Sequence, residues 1–265
     1  MSWSPAQYLK FSQPRLRPAL ELLARVDLES PAAVYDLGCG TGEVTRLMAG
    51  RWPGAVVTGV DASVDMLEKA SGVTANLRWL AQDIETWKPD SAVDLIYSNA
   101  ALHWLPDHAR LITALAASLT PGGILAVQMP RNFAEPSHTA IALTVHEGPW
   151  RSRLEPLLVE SPVAEPMWYL QLLGTLFPQI DLWQSQYFQI LQGDDPVKEW
   201  TKGTWLRRFL MALPASERDA FEQAYARRVA AAYPRRADGT TVFPFQRLFF
   251  VARRGGQAAA GSAAR

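Results

Sequence analysis

The chain has 265 residues, 48% of them hydrophobic, which is long enough to bury the core of one elaborated α/β domain. Its 26 basic residues balance 26 acidic residues, so the charge predicts neither a nucleic-acid partner nor an anionic membrane surface. One cysteine allows no internal disulfide, and with no evident secretory leader or membrane span we expect a cytoplasmic protein.

The first half of the chain predicts alternating strands and helices. Residues 1–30 are expected to form an N-terminal lid, from about Trp3 to Phe11, and an amphipathic helix from Pro14 to Val26. Strands are predicted at Ala32–Leu37, Ala55–Val60, Leu77–Ala81, Val93–Ser98 and Ile124–Met129. Helices are predicted at about Glu43–Arg51, from Ser63, and at Asp107–Leu119, and a tight turn at Thr120–Gly123. This alternation predicts an α/β fold with a three-layer, doubly wound parallel sheet.

The second half of the chain does not continue the alternation of strands and helices. Strands are predicted at Gln179–Leu191 and Val242–Ala252, the last of them antiparallel at the end of the sheet. Two segments without strands, at about 131–177 and 192–236, are expected to be helical insertions that roof the ligand crevice, because ligands bind at the carboxyl ends of such strands. We therefore expect one domain over 31–253, followed by a disordered tail over 254–265.

The clearest ligand motif is a glycine turn after the first strand. Gly38, Gly40 and Gly42 alternate, which permits positive φ and close approach of backbone to a ligand. The Gly-x-Gly-x-Gly spacing is not the longer spacing of a dinucleotide site. Asp36, before the turn, would repel a phosphate and attract an amino group, while Asp61, after the second strand, suits a ribose diol. The motif predicts S-adenosylmethionine (SAM), against the alternative of a simple connecting turn.

Further candidates follow the third and fourth strands. Asp83 and Ile84 can meet an adenine edge, and the backbone carbonyl of Asn99 can meet the amino group of SAM. Trp104 is expected to stack near the cofactor, and His103 either faces the substrate or is an ordinary loop histidine. His108 is expected at the surface, at the start of a helix. The four histidines are dispersed, so no metal site is predicted.

Arginines are frequent in the two strandless segments and the last strand. Arg207 and Arg247 lie among aromatic residues, where an uncompensated charge would be costly, and Arg131 follows the fifth strand. A guanidinium fork matches a carboxylate. A small-molecule polycarboxylate substrate and internal salt bridges would each explain these arginines.

Specific stretches resemble the trans-aconitate 2-methyltransferase family. They are Tyr8-Leu9-x-Phe11, Asp36-Leu37-Gly38-Cys39-Gly40-x-Gly42, Trp104-Leu105-Pro106-Asp107-His108, Gln128-Met129-Pro130 and Arg247-Leu248-Phe249. The resemblance implies the Rossmann-like class I methyltransferase fold and methyl transfer from SAM to a carboxylate of trans-aconitate, giving a monomethyl ester and S-adenosylhomocysteine. It also implies that Tyr8, Arg131, Arg207 and Arg247 bind substrate. His103 and Trp104 are the expected catalytic residues: His103 orients the substrate and is not an obligatory base, and Trp104 stacks near the cofactor.

Other functions remain open at this point. A related enzyme would methylate another small acid, a hydroxyl group or a carbon centre, and a hydroxyl would need a base, for which His103 is the candidate. A SAM-binding regulator would bind the cofactor without turnover, and an NAD-dependent oxidoreductase is disfavoured by the glycine spacing. We expect a monomer or a weak homo-oligomer.

Overall fold

The computed structural model describes residues 12–70 and 75–256, with side chains from residue 16. Its strands are β1 Ala33–Leu37, β2 Val56–Asp61, β3 Leu77–Ala81, β4 Val93–Asn99, β5 Leu119–Pro130, β6 Gln179–Leu191 and β7 Thr241–Arg253. Its helices are α1 Ser12–Ala24, α2 Glu43–Arg51, α3 Val64–Ala70, α4 His108–Ala117, α5 Pro136–Glu147, α6 Arg151–Leu154, α7 Pro166–Gly174, α8 Pro196–Lys202, α9 Arg207–Ala212 and α10 Ala215–Ala232. Short 3₁₀ turns lie at Leu102–Trp104 and Glu155–Leu157.

The strands form one mixed sheet in the order β3-β2-β1-β4-β5-β7-β6. β1 pairs in parallel with β2 and β4, and the parallel ladder continues to β3 on one side and β5 on the other. β7 is antiparallel to β5, because Gly122 N–H donates to Arg254 O at one end and Arg131 N–H donates to Gln246 O at the other. The predicted α/β sheet with an antiparallel final strand is confirmed. The predicted position of that strand at the end of the sheet is wrong, because β7 pairs between β5 and β6, and β6 forms the edge.

From Leu16 onward, the chain divides into two compact units, each with its own core. The first, here called the sheet unit, comprises Leu16–Met129, Val163–Gln184 and the segment from Leu248. Its core includes Leu37, Ile96 and Phe250. The second, here called the helical unit, comprises Pro130–Pro162 and Ser185–Arg247, and its core is rich in aromatic rings, including Trp200, Phe221 and Phe243.

Central strand β4 anchors the carboxyl edge of the sheet unit. Leu95, Ile96 and Tyr97 are fully buried, as expected for a strand with sheet on both sides and helices on both faces. The Tyr97 hydroxyl donates to Ala19 O at 2.7 Å, which fixes α1, and Ser98 Oγ donates to Leu37 O at 2.8 Å, which fixes the end of β1. The ends of β1 and β4 are therefore held in register where the glycine turn begins.

The predicted tight turn at 120–123 is wrong. β5 already begins at Leu119, and the register with β4 shifts there, since Val93 faces Leu119 and Leu95 faces Ile124. Asp94 supplies the physical reason: its Oδ1 accepts from Thr120 Oγ1 at 2.9 Å and its Oδ2 accepts from Ala32 N–H at 2.7 Å. The extra residues form an irregularity inside the strand, not a loop before it.

Some predictions fall outside the part of the chain that the structure describes. These are the lid at Trp3–Phe11, the substrate residue Tyr8, and residues 257–265 of the predicted tail. Elsewhere, most predicted strands and helices agree with the structure to within two residues at each end.

Two glycines in the sheet unit make room for the indole of Trp79. Gly59 on β2 lies in register with Trp79 on β3, and a methyl group at Gly59 would stand 2.4 Å from the indole. A methyl group at Gly42, which precedes α2, would stand 2.1 Å from the same ring. The ring thus packs where β2 and the start of α2 leave no side chain, which fixes how α2 leaves the turn.

We predict that Gly59→Ala destabilises the fold by about 1–3 kcal/mol, the usual cost of overpacking a tight site. The matched control is Gly50→Ala on α2, where an added methyl meets nothing within 4 Å. That change is expected to stabilise the helix by up to about 1 kcal/mol. Urea unfolding measures both, and equal effects of the two substitutions would contradict the packing account.

Candidate active site

Backbone N–H groups of the glycine turn donate hydrogen bonds to the end of β2. Gly38, Gly40 and Gly42 have φ of 77°, 55° and 70°, the left-handed region that favours glycine. Gly38 N–H donates to Val60 O at 2.8 Å, and Gly40 N–H donates to Asp61 Oδ2 at 2.8 Å. A side chain at Gly40 would meet nothing within 4 Å, so this residue presents bare backbone to open space.

The loops after β3 and β4 converge on the same turn. A methyl group at Gly38 would stand 2.2 Å from Ala101 Cβ and 3.5 Å from Ile84 Cδ1. Gln82 N–H donates to Asp61 O at 3.2 Å, which joins the end of β3 to the end of β2. Asp83 is exposed, and its Oδ1 accepts from Glu85 N–H at 2.8 Å. The structure therefore gathers the predicted cofactor residues of four strand ends around one turn.

Asp36 is buried beneath the turn, with 2% of its surface exposed. Its Oδ2 accepts from Thr45 Oγ1 at 2.6 Å, which ties the end of β1 to α2. The pKa of Asp36 is raised to about 7, chiefly by burial; the hydrogen bond from the Thr45 hydroxyl opposes the shift, and the negative charge of Asp61 adds to it. Asp36 is thus a carboxyl whose ionisation responds to a nearby cation.

Asp61 braces the turn with both carboxylate oxygens. Oδ2 accepts from Gly40 N–H, and Oδ1 accepts from Ser63 N–H at 2.9 Å. Each oxygen of an ionised carboxylate has two acceptor positions, so these bonds leave capacity for the donors of a ribose diol. Asp61 is half-buried, as a group at the rim of a ligand site should be.

Asn99 and Ala100 carry the strongest sign of a ligand site. Among the described residues, no donor reaches the buried Oδ1 atom of Asn99. A buried acceptor left in this state costs about 1–3 kcal/mol, so a ligand that donates to it gains that much. Ala100 follows with φ of 53°, a strained conformation for a residue with a side chain, and donates its N–H to Gln128 O at 2.9 Å. An ammonium group fits this acceptor, and the side-chain oxygen of Asn99 thus joins the backbone carbonyl as its candidate partner.

The two proposed catalytic residues share the 3₁₀ turn Leu102–Trp104. His103 is 7% exposed, Trp104 is 47% exposed, and their ring centroids are 4.6 Å apart. The residue before this 3₁₀ turn is Ala101, which packs on Gly38 and follows the strained Ala100. His103 and Trp104 therefore lie in the sheet unit beside the glycine turn, while their roles stay predictions.

The prediction that His108 lies at the surface is wrong, because only 5% of it is exposed. Its Nε2–H donates to Leu102 O at 2.9 Å, so Nδ1 accepts from the Tyr169 hydroxyl at 2.5 Å. The Tyr169 oxygen in turn accepts from Ala164 N–H at 3.3 Å. Burial lowers the pKa of His108, which keeps it neutral. This chain of bonds holds the turn that carries His103.

The proposed substrate arginines lie in the helical unit. Arg131 N–H donates to Gln246 O at 2.9 Å, which places Arg131 beside the residue preceding Arg247. Arg247 is 3% exposed, and its guanidinium carbon lies 4.8 Å from the centroid of the Phe245 ring. Arg207 begins α9, on a different element. The structure places Arg131, directly after β5, beside the part of β7 that carries Arg247, and their contact with substrate stays a prediction.

The sequence reasoning missed Thr45 and Trp79. Thr45 lies three residues after Gly42, in the first turn of α2, and its hydroxyl reaches back to Asp36. A hydroxyl residue at this position after the glycine turn was the available signal. Trp79 had no signal, since an aromatic residue in a predicted strand is ordinary. In the described residues, no group of three or more His, Cys, Asp or Glu side chains could hold a metal ion, and no helix has the length and apolarity to cross a bilayer.

Known proteins resemble this chain along nearly all of its length. Residues 8–175 match a family described as Methyltransferase domain. A trans-aconitate 2-methyltransferase from Azoarcus sp. (strain BH72) is 46% identical over 253 residues, which cover 96% of this chain and 99% of that protein. Another, from Agrobacterium fabrum, is 44% identical over 253 residues, covering 95% of this chain and 99% of that protein.

Solved structures resemble the chain in fold. A SAM-dependent methyltransferase from Thiobacillus denitrificans, in complex with S-adenosylhomocysteine, has a TM-score of 0.54 at 23% identity, covering 96% of this chain and 100% of that one. The YcgJ protein of Bacillus subtilis has a TM-score of 0.57 at 18% identity, covering 90% of this chain and 99% of that one.

We predict that SAM binds roughly fivefold more tightly at pH 7.5 than at pH 6.0. Asp36, with a pKa of about 7, favours a cation beside it only when it is ionised, and it is mostly protonated at pH 6.0. The ammonium group of SAM loses part of its charge at pH 7.5, but this loss weakens binding less than protonation of Asp36 does at pH 6.0. Titration calorimetry with Asp36→Asn should show weaker binding without this rise. Thr45→Val should weaken binding at pH 7, since it removes the hydroxyl that lowers the pKa. Equal affinity at both pH values in the unmodified protein would contradict the role of Asp36.

We predict that His108→Gln lowers the free energy of unfolding by about 1–2 kcal/mol at pH 7, through lost buried hydrogen bonds. The pKa of His108 is lower in the folded than in the unfolded chain. The folded state therefore loses stability from this group as pH falls below about 6.5, and the gap between the two proteins should narrow toward pH 5. Urea unfolding at several pH values measures the gap, and a gap that stays constant would contradict the neutral, buried state of His108.

Proposed function

This chain belongs to the trans-aconitate 2-methyltransferase family, and from that premise we propose that it transfers a methyl group from SAM to a carboxylate of trans-aconitate. The products are the monomethyl ester and S-adenosylhomocysteine. Full-length identity of 46% to a trans-aconitate 2-methyltransferase is the observation that carries the proposal. The site supports it, because the glycine turn, Asp61 and Asn99 fit an adenosyl ligand that bears an ammonium group and no phosphate.

Each cofactor residue receives a role in this proposal. Gly38, Gly40 and Gly42 let backbone approach the cofactor, and Asp61 accepts from its ribose. Asp83 and Ile84 border its adenine, while Asn99 accepts from its ammonium group, whose charge Asp36 complements. When bound, SAM supplies an electrophilic methyl group on sulfur.

The substrate chemistry requires little from the protein beyond placement. A carboxylate is ionised at neutral pH, so no side chain must remove a proton from it. His103 and Trp104 orient the reacting groups, and the bonds from His108 to Leu102 hold their turn in place. Arg131, Arg207 and Arg247 bind the carboxylates of the substrate, with Tyr8, which lies outside the described residues. Fixed cations and exclusion of water lower the barrier by positioning the carboxylate.

The proposal also covers the extent of the domain, the cellular compartment and the oligomeric state. We propose a single methyltransferase domain over residues 31–253, acting in the cytoplasm as a monomer or a weak homo-oligomer. A single cysteine, which allows no internal disulfide, supports the compartment.

We predict that S-adenosylhomocysteine is released fastest with trans-aconitate when the enzyme is offered trans-aconitate, cis-aconitate, citrate, isocitrate and malonate. SAM binding without turnover on any acid would favour a regulatory protein. Faster turnover on another acid would contradict trans-aconitate as the substrate.

We predict that His103→Ala lowers kcat by less than about 100-fold, because loss of a general base typically costs 100-fold or more and none is needed here. The measurement is kcat at saturating SAM and trans-aconitate from pH 6 to 8, with SAM affinity and thermal unfolding as controls. Abolished turnover in a folded variant that binds SAM would sink the orienting role.

A further inference from the structure

Arg208 is a half-buried arginine of the helical unit without a carboxylate partner in the described part of the chain. Several other arginines of that unit form ion pairs, as Arg153 does with Glu217 at 2.9 Å and Arg151 with Glu155 at 3.0 Å. Among the described residues, no carboxylate lies within ion-pair distance of Arg208, although the side chain is half-buried. A guanidinium withdrawn from water without an anion is costly, which points to a partner that is not part of the described chain.

Aromatic side chains hold Arg208 in place. Its guanidinium carbon lies 5.0 Å from the Trp205 ring centroid and 5.7 Å from that of Phe209. The Trp205 ring meets Phe133 edge to face at 4.9 Å. Stacking on an aromatic face occupies the flat side of a guanidinium and leaves its N–H edge available for a planar, two-oxygen acceptor.

Within the part of the chain that the structure describes, His138 is the other titratable side chain that contacts this cluster. Phe133 also contacts the His138 ring, with centroids 4.9 Å apart. His138 Nδ1 lies 3.0 Å from Ser137 Oγ, and burial lowers the pKa of His138 to about 4, so the ring is neutral at pH 7. The charge of Arg208 is therefore the only one in the group formed by Phe133, His138, Trp205 and Arg208 within the described residues.

We propose that Arg208, backed by Trp205 and Phe133, binds one carboxylate of the substrate and selects for acids that carry it. The inference rests on the proposed function and adds a residue to it. Arg208 is distinct from Arg207, because consecutive side chains leave a helix about 100° apart. The two arginines can therefore be tested separately.

The experiment compares Arg208→Gln and Arg208→Lys with a matched control, Arg227→Gln. Arg227 is an exposed arginine of α10 in the same unit, so its loss changes the net charge equally. Trans-aconitate binding is measured by calorimetry in the presence of S-adenosylhomocysteine, and kcat and KM are measured with SAM. SAM affinity and thermal unfolding report whether each variant is folded.

Arg208→Gln is expected to weaken trans-aconitate binding and raise KM by about 10- to 100-fold, the range for charge-assisted hydrogen bonds. Arg208→Lys keeps the charge and loses the fork, so its deficit is expected to be intermediate. SAM affinity should stay within twofold, and Arg227→Gln should behave as the unmodified protein. Substrate binding within twofold of normal in Arg208→Gln would overturn the proposal.

Three smaller acids separate recognition from a structural role. Trans-glutaconate, mesaconate and itaconate each lack a different one of the three carboxylates of trans-aconitate, and the deficit of Arg208→Gln should vanish for the one that lacks the carboxylate bound by Arg208. An equal deficit for trans-aconitate and all three smaller acids would overturn the proposal. If the unmodified enzyme binds trans-aconitate through Arg208 without methylating it, the arginine site stands and the proposed function fails. If it methylates trans-aconitate and Arg208→Gln does so equally well, the function stands and the arginine site fails.

Discussion

Contact between the Trp79 indole and the bare backbone of Gly42 and Gly59 is the constraint on which the cofactor side of the sheet unit depends. It fixes how α2 leaves the turn, because a methyl group at either glycine would stand within 2.4 Å of the ring. The carboxylate of Asp61 accepts from Gly40 N–H and Ser63 N–H, so the turn is joined to the end of β2. With the strand ends locked in this way, Gly40 exposes backbone that a ligand can approach.

The charged and polar groups around the glycine turn favour a bound cation. Burial brings the pKa of Asp36 to about 7, and Asn99 Oδ1 lies buried with no donor within reach in the described part of the chain. Both features become favourable when an ammonium group arrives, since a positive charge favours the ionised carboxyl and its protons satisfy the amide oxygen. In the helical unit the pattern reverses. Arg247 is buried on Phe245 and Arg208 stacks on Trp205, which suits an anion that arrives already ionised.

The parts of the site that are local in sequence were predictable, and the parts that depend on distant residues were not. Asp36, the three glycines and Asp61 could be read directly, because strand, turn and strand end follow one another along the chain. The burial of His108 depends on Tyr169, which lies 61 residues away, so a helix-start position alone indicated the surface. The irregular start of β5 depends on Asp94, whose two oxygens bond to different strands. The choice among arginines required knowing which had carboxylate neighbours, and spacing cannot reveal this.

The most direct test of methyl transfer to a carboxylate uses SAM labelled in its methyl group, with trans-aconitate as acceptor. The product is isolated, and its label is followed by mass spectrometry before and after mild alkaline hydrolysis. Ester formation predicts one labelled methyl group per trans-aconitate, released as methanol by base while unlabelled trans-aconitate is recovered. A label that survives hydrolysis would mean transfer to a carbon atom of trans-aconitate. Such a result would contradict a mechanism in which an ionised carboxylate of the substrate is the nucleophile.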